Sequence, residues 1–284
     1  MYTRRELAGL ALGTLGASRM LTAKPNSVVR GVIIGAQSYS FRDRPLDKAI
    51  EGFTEAGLSY CELWQGHVEP ENASRKGLRE WRETIALETF DAVREKFVRA
   101  GIKLYAFNYS FQDDFSDKEI ERGFEMAKTL GVRYITASAN VDVSKRVNAY
   151  AEKYEITVGM HNHDSMKPNE FSTPDDFLRA MDGNPNVRVN LDIGHFTAAN
   201  FDAVEYVQKF SEYIVTLHIK DRKKNHGANM PFGQGDTPIR QVLQLLRDRK
   251  LKVPAMIEYE YKGKDTVEEV RRCYEFCRDA VKEG

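Results

Sequence analysis

The stretch GMHNHD at residues 159–164 carries two imidazoles and a carboxylate, which are groups that bind metal ions and transfer protons. The histidines follow the uncharged run 156–160, in which Ile156, Val158 and Met160 are apolar, and this run indicates a buried strand. Because side chains alternate along a strand, His161 and His163 are expected on one face of it. A histidine at a strand end is more often a satisfied polar residue than a ligand, so this pair alone decides nothing.

Other predicted strands end in polar residues of the same kinds. The residues at or just after these ends are Glu62, Asn108, His161, His163, Asp192, His195, His218, Lys220, Glu258 and Glu260. Four of the six histidines lie there, whereas chance would scatter them over the surface. In a parallel barrel the loops after the carboxyl ends of the strands build the active site, so these are the candidate functional residues.

The elements that must position these residues repeat one unit, a short apolar strand followed by an amphipathic helix. Eight strands are predicted, at 31–39, 58–64, 102–109, 132–139, 155–162, 187–195, 213–221 and 252–260. Helices are predicted between them, for example at 88–101, 116–131 and 238–250. Gly57, Gly101 and Gly131 stand where left-handed helix C-caps are expected.

Eight such units in about 250 residues predict a single (β/α)8 TIM barrel over residues 28–284. A doubly wound open sheet is the alternative, although it usually has fewer strands at this length. The loop at 67–87 is long and charged, and it is either a lid or a contact in a homo-oligomer.

Composition narrows the function classes. Lys+Arg and Asp+Glu number 42 each, so the net charge is zero and offers no electrostatic footprint for nucleic acid or anionic membrane. The hydrophobic share of 42% and the charged share of 30% are typical of a globular protein with a sizeable core. No membrane anchor is predicted, and a small-molecule partner is expected.

Residues 1–23 differ from the rest of the chain. Arg4 and Arg5 precede a Gly- and Ala-rich apolar stretch that ends in small residues near Ala23, and this resembles a twin-arginine export signal. It predicts a periplasmic or otherwise exported protein. An ordinary amphipathic helix is the alternative, because Arg19 interrupts the apolar stretch, and the protein would then be cytoplasmic.

Three carboxylates at neighbouring strand ends, Asp192, Glu258 and Glu260, would repel each other if buried without a cation. One divalent metal removes this cost, and a shell of two imidazoles and two carboxylates suits Mn, Zn, Co or Fe. By position Asp192, His218 and Glu258 face inward on their strands. The alternative is a polar layer that is neutralised by basic side chains, for which Lys220, Arg188 and Arg222 are candidates.

The loop FGQGDTP at 232–238 contains Gly233 and Gly235 before a predicted helix. Such a loop can aim backbone N–H groups at an anion, for example a phosphate. A plain loop with a helix N-cap at Asp236 or Thr237 is at least as good a reading. A phosphorylated substrate is therefore not established by this motif.

Four motifs resemble the strand-six-to-eight signature of the xylose-isomerase-like barrel superfamily. They are VNLDIGHF, LHIKD, FGQGDTP and MIEYE, in that order. CELW at the second strand also resembles this group, and the resemblance covers the chain from about residue 30. The superfamily holds sugar epimerases and isomerases, inosose and dehydroshikimate dehydratases, and abasic-site nucleases of the endonuclease IV type.

The resemblance implies a ligand set. Its epimerases hold a metal with a Glu, an Asp, a His and a Glu on strands five to eight, which implies Asp192, His218 and Glu258 here. The strand-five place falls on His161, which departs from the pattern, and His163 stays open as the ligand instead. With an imidazole there, the symmetric pair of metal-bound glutamates that epimerases use is incomplete, and HNHD resembles the inosose-dehydratase-like and keto-sugar-processing branches more closely.

We therefore predict a divalent-metal-dependent isomerase or epimerase of a sugar or polyol, which removes a proton next to a metal-polarised carbonyl. A dehydratase or lyase of a keto-sugar or inosose on the same site is the alternative. The predicted catalytic residues are Glu258, His163, Lys220, Glu260 and Glu62. The predicted substrate-binding residues are Trp64, Asn108, His195 and Phe41, and the predicted metal ligands are His161, Asp192, His218 and Glu258.

Within these roles, His163, Glu260 and Glu62 compete for the general base, and Lys220 would stabilise the developing oxyanion or protonate the leaving oxygen. His195 would orient a neighbouring group, while Trp64 and Phe41 would face the sugar ring. Two other classes remain weaker. A nuclease conflicts with the neutral charge, and a non-catalytic sugar binder would not need so many titratable groups.

Overall fold

The computed structural model describes residues 24–284, in which eight parallel strands close into a barrel. The barrel strands are β1 (Val32–Gln37), β2 (Tyr60–Trp64), β3 (Lys103–Asn108), β4 (Tyr134–Ala137), β5 (Thr157–His161), β6 (Val187–Asp192), β7 (Ile214–Ile219) and β8 (Ala255–Ile257). Each strand pairs in parallel with the next, and β8 pairs with β1. The predicted (β/α)8 barrel is confirmed, and the open-sheet alternative is wrong.

Helices fill the connections between the strands. Those of the described chain are α1 (Leu46–Ala56), α2 (Arg75–Thr84), α3 (Glu88–Ala100), α4 (Asp117–Leu130), α5 (Ser144–Tyr154), α6 (Pro174–Met181), α7 (Ile193–Ala198), α8 (Ala203–Phe210), α9 (Ile239–Asp248) and α10 (Thr266–Lys282). Short 3-10 turns lie at Ser38–Phe41, Gln65–His67, Val141–Val143 and Ser211–Tyr213. Two-residue strands at Val28–Val29, Asp221–Arg222 and Asn229–Met230 add antiparallel pairs outside the barrel.

Three glycines end helices as predicted. Gly57, Gly101 and Gly131 are the C-caps of α1, α3 and α4, with φ of 82°, 75° and 73°. Glycine adopts this left-handed conformation without the steric cost that a Cβ brings, so the chain can turn at once into the next strand.

Burial of one helix face against the barrel holds the layers together. In α4, a capping box of Ser116 and Glu119 starts the helix, and Ile120 and Phe124 are fully buried beneath it. Each such side chain contributes about 1.5–3 kcal/mol when it leaves water. The fold thereby fixes the strand ends, which carry the chemistry.

Strand register brings the functional residues level with one another. His161 lies opposite Asn190, and Asp192 lies opposite His218. Register shifts occur between Cys61 and Glu62 on β2, directly before a candidate site residue, and between Val189 and Asn190 on β6, two residues before Asp192. Such irregularities re-aim the side chains that follow them, and they are common next to active sites.

The loop predicted at 67–87 contains an extra helix, α2, which is held by ion pairs. Arg75 and Arg79 lie 2.7 and 2.9 Å from the fully buried carboxylate of Glu119, and Arg82 lies 2.8 Å from Glu69. Both alternatives for this segment stay predictions. Residues 1–23, where the export signal is predicted, lie outside the described residues. Among the helices within 24–284, none has the length and apolar character to cross a membrane.

Candidate metal centre and substrate cavity

A cavity of about 280 Å³ opens at the carboxyl ends of the barrel strands. It is lined by Gln37, Tyr39, Trp64, Asn108, Ser110, Ser138, His161, His163, His195, His218, Lys220, Glu258 and Glu260. Larger grooves of about 630 and 590 Å³ lie elsewhere, but they contain none of the clustered histidines. The chemistry-bearing residues therefore select the barrel mouth as the candidate site.

Four buried side chains converge on the floor of this cavity. His161, Asp192, His218 and Glu258 each offer one ligand atom, and these atoms lie within 4.8 Å of one another. His161 Nε2 is 3.5 Å from Asp192 Oδ2 and 4.0 Å from Glu258 Oε2. His218 Nδ1 is 3.1 Å from the same glutamate oxygen. The four predicted ligands are thus brought together, and the cluster could hold one metal ion.

Two of these donor atoms, His161 Nε2 and Asp192 Oδ2, are buried without a hydrogen-bond partner. Leaving buried polar atoms unpaired costs free energy, so native structures rarely do it without a reason. A divalent cation would satisfy both atoms at once. Burial lowers the pKa of His161 more than Asp192 raises it, so the imidazole is neutral and offers a lone pair. The residues present fit a metal.

Asp192 is held rigidly in place. Its Oδ1 accepts the backbone N–H of His195 at 2.7 Å, which makes Asp192 the N-cap of α7. Asn162 brackets its backbone, donating to the Asp192 carbonyl at 3.1 Å and accepting the Asp192 N–H at 2.9 Å. Oδ2 is therefore the oxygen left to point into the cluster. Burial opposes its charge, but Lys220 and His195 hold the Asp192 pKa well below its usual range.

His218 lies between two carboxylates. Its Nδ1 faces Glu258, and its Nε2 is 3.0 Å from both oxygens of Glu62. Burial would lower the pKa of His218, but the two carboxylates outweigh it and hold this pKa well above its ordinary value. Once Nδ1 gives up its proton it can bind a metal, while Nε2–H still donates to Glu62. Carboxylate–imidazole–metal arrangements of this kind orient the ligand and raise its basicity.

Glu62 sits beneath the cavity and does not line it. It is fully buried, and it accepts hydrogen bonds from Gln37 Nε2 at 2.7 Å and Thr136 Oγ1 at 2.6 Å in addition to His218. A carboxylate with these contacts has no free face toward a substrate. Its position is that of a residue that orients His218, and the general-base role gains no support.

Lys220 is the cation that the structure places among these carboxylates. Its Nζ is 3.2 Å from Asp192 Oδ2, 3.0 Å from Glu258 Oε2 and 2.6 Å from Glu260 Oε2. Burial lowers the Lys220 pKa, but these carboxylates raise it further, so the side chain stays charged. Lys220 forms an ion pair with Asp192 Oδ2, and that oxygen has no hydrogen-bond partner among the described residues.

The other two basic residues of the polar-layer alternative do not take part. Arg222 pairs with Asp164 at 2.6 Å, and the Arg188 guanidinium lies over the Tyr213 ring at 5.7 Å. Lys220 alone of the three reaches the carboxylates of the cluster. Of the polar-layer alternative, the structure therefore shows the part played by Lys220 and not the part expected of the two arginines.

A second tier of histidines borders the cluster. The His163 and His195 rings lie 5.2 Å apart, and His195 Nδ1 lies 2.9 Å from Asp164 Oδ1. His195 Nε2 is 3.1 Å from Lys220 Nζ. Burial, and then its neighbours His161, His195 and Lys220, lower the pKa of His163 to about 3. His163 is thus a neutral imidazole that faces the cavity.

The opposite wall, from β1 to β4, carries no charge at the cavity surface. Asn108 Nδ2 donates to the Thr136 carbonyl at 3.2 Å, which leaves its carbonyl oxygen free to accept. The Tyr39 and Trp64 rings meet edge to face, 5.0 Å apart. Amide, hydroxyl and aromatic groups of this kind recognise sugar hydroxyls and C–H faces.

Two sequence-based expectations are corrected here. Phe41 does not line the cavity, because it lies in the 3-10 turn after β1 and packs fully buried on Phe53, with ring centroids 4.9 Å apart. The strand predicted at 187–195 ends at Asp192, and His195 belongs to α7. The remaining predicted substrate residues, Trp64, Asn108 and His195, do line the cavity.

The FGQGDTP loop differs from both of its predicted forms, a site for a ligand anion and a plain loop with an N-cap at Asp236 or Thr237. Its backbone N–H groups do bind an anion, but that anion is the carboxylate of Asp221 from the end of β7. The N-cap of α9 is Pro238, which has no side-chain cap, so the predicted caps at Asp236 and Thr237 are wrong.

Sequence reasoning missed several supporting residues. Gln37, Thr136 and Asn162 act through hydrogen bonds to Glu62 and to the Asp192 backbone. Gln37 and Thr136 occupy inward strand positions, which is a weak signal, and Asn162 stands inside HNHD. Uncharged residues gain a role only from the partner that the fold supplies.

Residues 53–279 match the family described as xylose isomerase-like TIM barrel. An L-ribulose-5-phosphate 3-epimerase from Salmonella paratyphi A is 28% identical over 108 residues, which are 38% of this chain and 38% of that enzyme. This chain spans 38, 54 and 61% of the lengths of the first three curated epimerases that it matches, which is less than two thirds of each.

Solved structures share the fold. That of an IolI protein with a bound zinc atom is 19% identical, with a TM-score of 0.68, covering 88% of this chain and 98% of that chain. The probable 3-DHS dehydratase AsbF from Bacillus anthracis is 16% identical, with a TM-score of 0.64, covering 85% of this chain and 97% of that chain. At these identities the likeness concerns the fold.

Proposed function

The chain belongs to the xylose isomerase-like TIM barrel family, and on that premise we propose that it is a divalent-metal-dependent isomerase or epimerase of a sugar or polyol. The observation that carries the proposal is the buried cluster of His161, Asp192, His218 and Glu258, in which two donor atoms lack hydrogen-bond partners. The epimerase names of the curated relatives support the substrate class.

His161, Asp192, His218 and Glu258 would hold an ion of Mn, Zn, Co or Fe. Bound there, the ion would supply Lewis acidity that polarises a substrate carbonyl and acidifies the neighbouring C–H bond. The IolI structure, which has the same fold, contains a bound zinc atom; this is compatible with the proposed metal and does not select the metal for this chain.

Glu260 is the carboxylate best placed to move the proton. It lines the cavity, and its contacts are Lys220 and a long one of 3.4 Å from Asn229 Nδ2, so it keeps lone pairs free. Glu258 also faces the cavity, but its Oε2 already contacts His218 Nδ1 and Lys220 Nζ. We assign proton removal to Glu260, with Glu258 as ligand.

Lys220 and His163 complete the charge handling. The Lys220 ammonium stays protonated among its carboxylates, so it can donate a hydrogen bond to a substrate oxygen on which negative charge develops. His163 is neutral and can accept a hydrogen bond from a hydroxyl. Neither side chain needs to change its charge before the substrate binds.

A dehydratase is the second candidate, and one observation favours it. Glu258 and Glu260 both follow β8, whereas the β5 side of the cavity offers the imidazoles of His161 and His163. Epimerisation exchanges a proton on two faces of one carbon, and here carboxylates serve one face. Elimination needs one base and an acid for the leaving hydroxyl, which Lys220 can supply.

The first test is elemental analysis of chelator-free protein, for wild type and His161→Ala side by side. We expect about one Mn, Zn, Co or Fe per chain in the wild type and its loss in the variant. Keto- and aldo-sugars are then screened in D₂O for exchange of the α-proton, and the products are identified by NMR.

The outcomes separate the classes. Exchange with recovery of an epimer or isomer supports the first candidate, and loss of water from the substrate supports the second. Absence of metal from the wild type together with tight sugar binding would contradict both and favour a non-catalytic binder.

A further inference from the structure

We propose that this site takes an uncharged sugar or polyol and discriminates against its phosphate esters. The inference rests on the proposed function and narrows its substrate class. It differs from what the names of the curated relatives suggest, since those enzymes are named for a phosphorylated pentulose.

The loop that the sequence marks for an anion is already filled by the protein. Gly233 and Gly235 donate their N–H groups to Asp221 Oδ2 at 2.7 and 2.9 Å, and Thr237 donates to Oδ1 at 3.3 Å. The fit is close, because a Cβ on Gly235 would collide with this carboxylate. A phosphate would have to displace the Asp221 carboxylate. Because this carboxylate belongs to the same chain, it is present at high effective concentration.

The cavity itself is unfavourable for a dianion. Lys220 is the only lysine or arginine among the described residues that line it, and its Nζ already contacts three carboxylates. Asp192, Glu258, Glu260 and the underlying Glu62 outnumber the positive charges even when a divalent ion is bound and His218 is neutral. A phosphate group would enter a field of its own sign, where repulsion is strong at low dielectric.

The nearest arginines have other partners. Arg222 is paired with Asp164 and donates to the Gly227 carbonyl at 2.7 Å. Arg42 lines an adjoining groove of about 350 Å³ that also exposes Asp43 and Glu260. Arg42 Nη1 donates to the carbonyl oxygens of Tyr39 and Tyr259 at 3.2 and 2.8 Å.

The uncharged wall fits hydroxyl groups instead. Gln37, Asn108, Ser110 and Ser138 line it and provide amide and hydroxyl groups that both donate and accept. A free sugar offers hydroxyls along its whole length, so it can use this wall without introducing a net charge.

The first experiment compares matched pairs on the full-length, metal-loaded protein. D-Fructose and D-fructose 6-phosphate, and D-xylulose and D-xylulose 5-phosphate, are assayed for α-proton exchange in D₂O. Where a pair is active, we expect kcat/KM for the free sugar to exceed that for the ester by about 100-fold or more. An ester that is exchanged as well as or better than its free sugar would overturn the inference.

The second experiment does not depend on turnover. Inorganic phosphate is titrated calorimetrically into wild type, Asp221→Gly and, as a control from the same loop, Asp236→Gly. We expect no binding tighter than about 10 mM for wild type and control. Asp221→Gly should gain phosphate binding and a phosphate-dependent rise in Tm, because its N–H groups have lost their carboxylate.

Each result has a separate meaning. Absence of exchange with every sugar would count against the proposed function, and the phosphate titration would still decide the inference. Phosphate bound by wild type at millimolar or lower Kd overturns it. If Asp221→Gly does not fold, the wild-type titration decides alone.

Discussion

The two halves of the barrel mouth differ in the charge of the side chains that line them. From β5 to β8 the cavity presents imidazoles, carboxylates and Lys220, and two buried ligand atoms there lack partners. From β1 to β4 it presents amides, hydroxyls and aromatic rings, and Asn108 on β3 is hydrogen-bonded to Thr136 on the neighbouring strand β4. The charged half thus has donor atoms that could hold a cation, whereas no such donor cluster lies among the described residues of the uncharged half.

In the proposed reaction, this difference separates two tasks of the cavity, proton transfer and recognition of hydroxyl groups. Proton transfer needs charges and a metal in a fixed geometry, and any loss there removes the reaction. Recognition of hydroxyls is shared among several weaker contacts, so a single loss there is tolerated better. Changes in the two halves should therefore differ in size and in what they affect.

The largest effect is expected for Asp192→Asn in the charged half. Asparagine keeps the N-cap of α7 but removes the charge that a metal needs, so the metal is lost and turnover falls by about 1,000-fold or more. Metal content, α-proton exchange and circular dichroism are measured together. Asp202→Asn is the control, because Asp202 caps α8 in the same way, accepting the Glu205 N–H at 2.9 Å. Unchanged metal and turnover in Asp192→Asn would refute the ligand assignment.

Glu62→Gln should weaken metal affinity by about 10- to 100-fold, because His218 loses the carboxylate that orients it. Affinity is measured by competition with a chelator. This variant also links the two halves, since Gln37 of the uncharged wall holds the same carboxylate. Loss of turnover at unchanged metal affinity would return Glu62 to the role of general base.

The pH dependence of metal binding gives a smaller effect that is specific to the charged half. Because Glu62 and Glu258 raise the pKa of His218, its Nδ1 is protonated before metal binds, and the metal must displace that proton. Affinity should therefore rise about tenfold per pH unit while the pH is below this raised pKa. Calorimetry in buffers of different ionisation enthalpy should report about one proton released per metal, and a flat profile would contradict the assignment.

The smallest effects are expected in the uncharged half. Trp64→Ala or Asn108→Ala should keep the metal and lower kcat/KM by about tenfold, mainly through KM, because each removes one contact of several. Phe41→Leu is the contrast, since Phe41 is a core residue. It should cost about 1 kcal/mol of unfolding free energy with KM unchanged, and a rise in KM would restore its role in substrate binding.

Much of the fold was predictable because its signals are local. Helix ends at Gly57, Gly101 and Gly131 followed from the conformational freedom of one residue, and the eight strands followed from short apolar runs. The conversion of residues 67–87 into a helix held by buried Glu119 was not predictable, because its partners lie on another element.

The candidate site divides in the same way. His161, Asp192, His218 and Glu258 were predicted from strand-end position and family resemblance, and the structure brings them within 4.8 Å. Phe41 was misassigned because nothing local shows that the 3-10 turn directs its ring toward α1. The anion of the FGQGDTP loop was missed because Asp221 reaches it only after β7 is in place.

By itself the sequence determined which residue types stand at the carboxyl ends of the strands, since strand periodicity and helix caps act over a few neighbouring residues. Only the tertiary structure decided which atoms meet. His218 and Glu62 are separated by 156 positions, and their contact depends on barrel closure and on the register shift just before Glu62. The partners of a carboxylate decide whether it can serve as a metal ligand, orient a ligand or occupy the loop as Asp221 does. These partners are brought together only when the barrel closes.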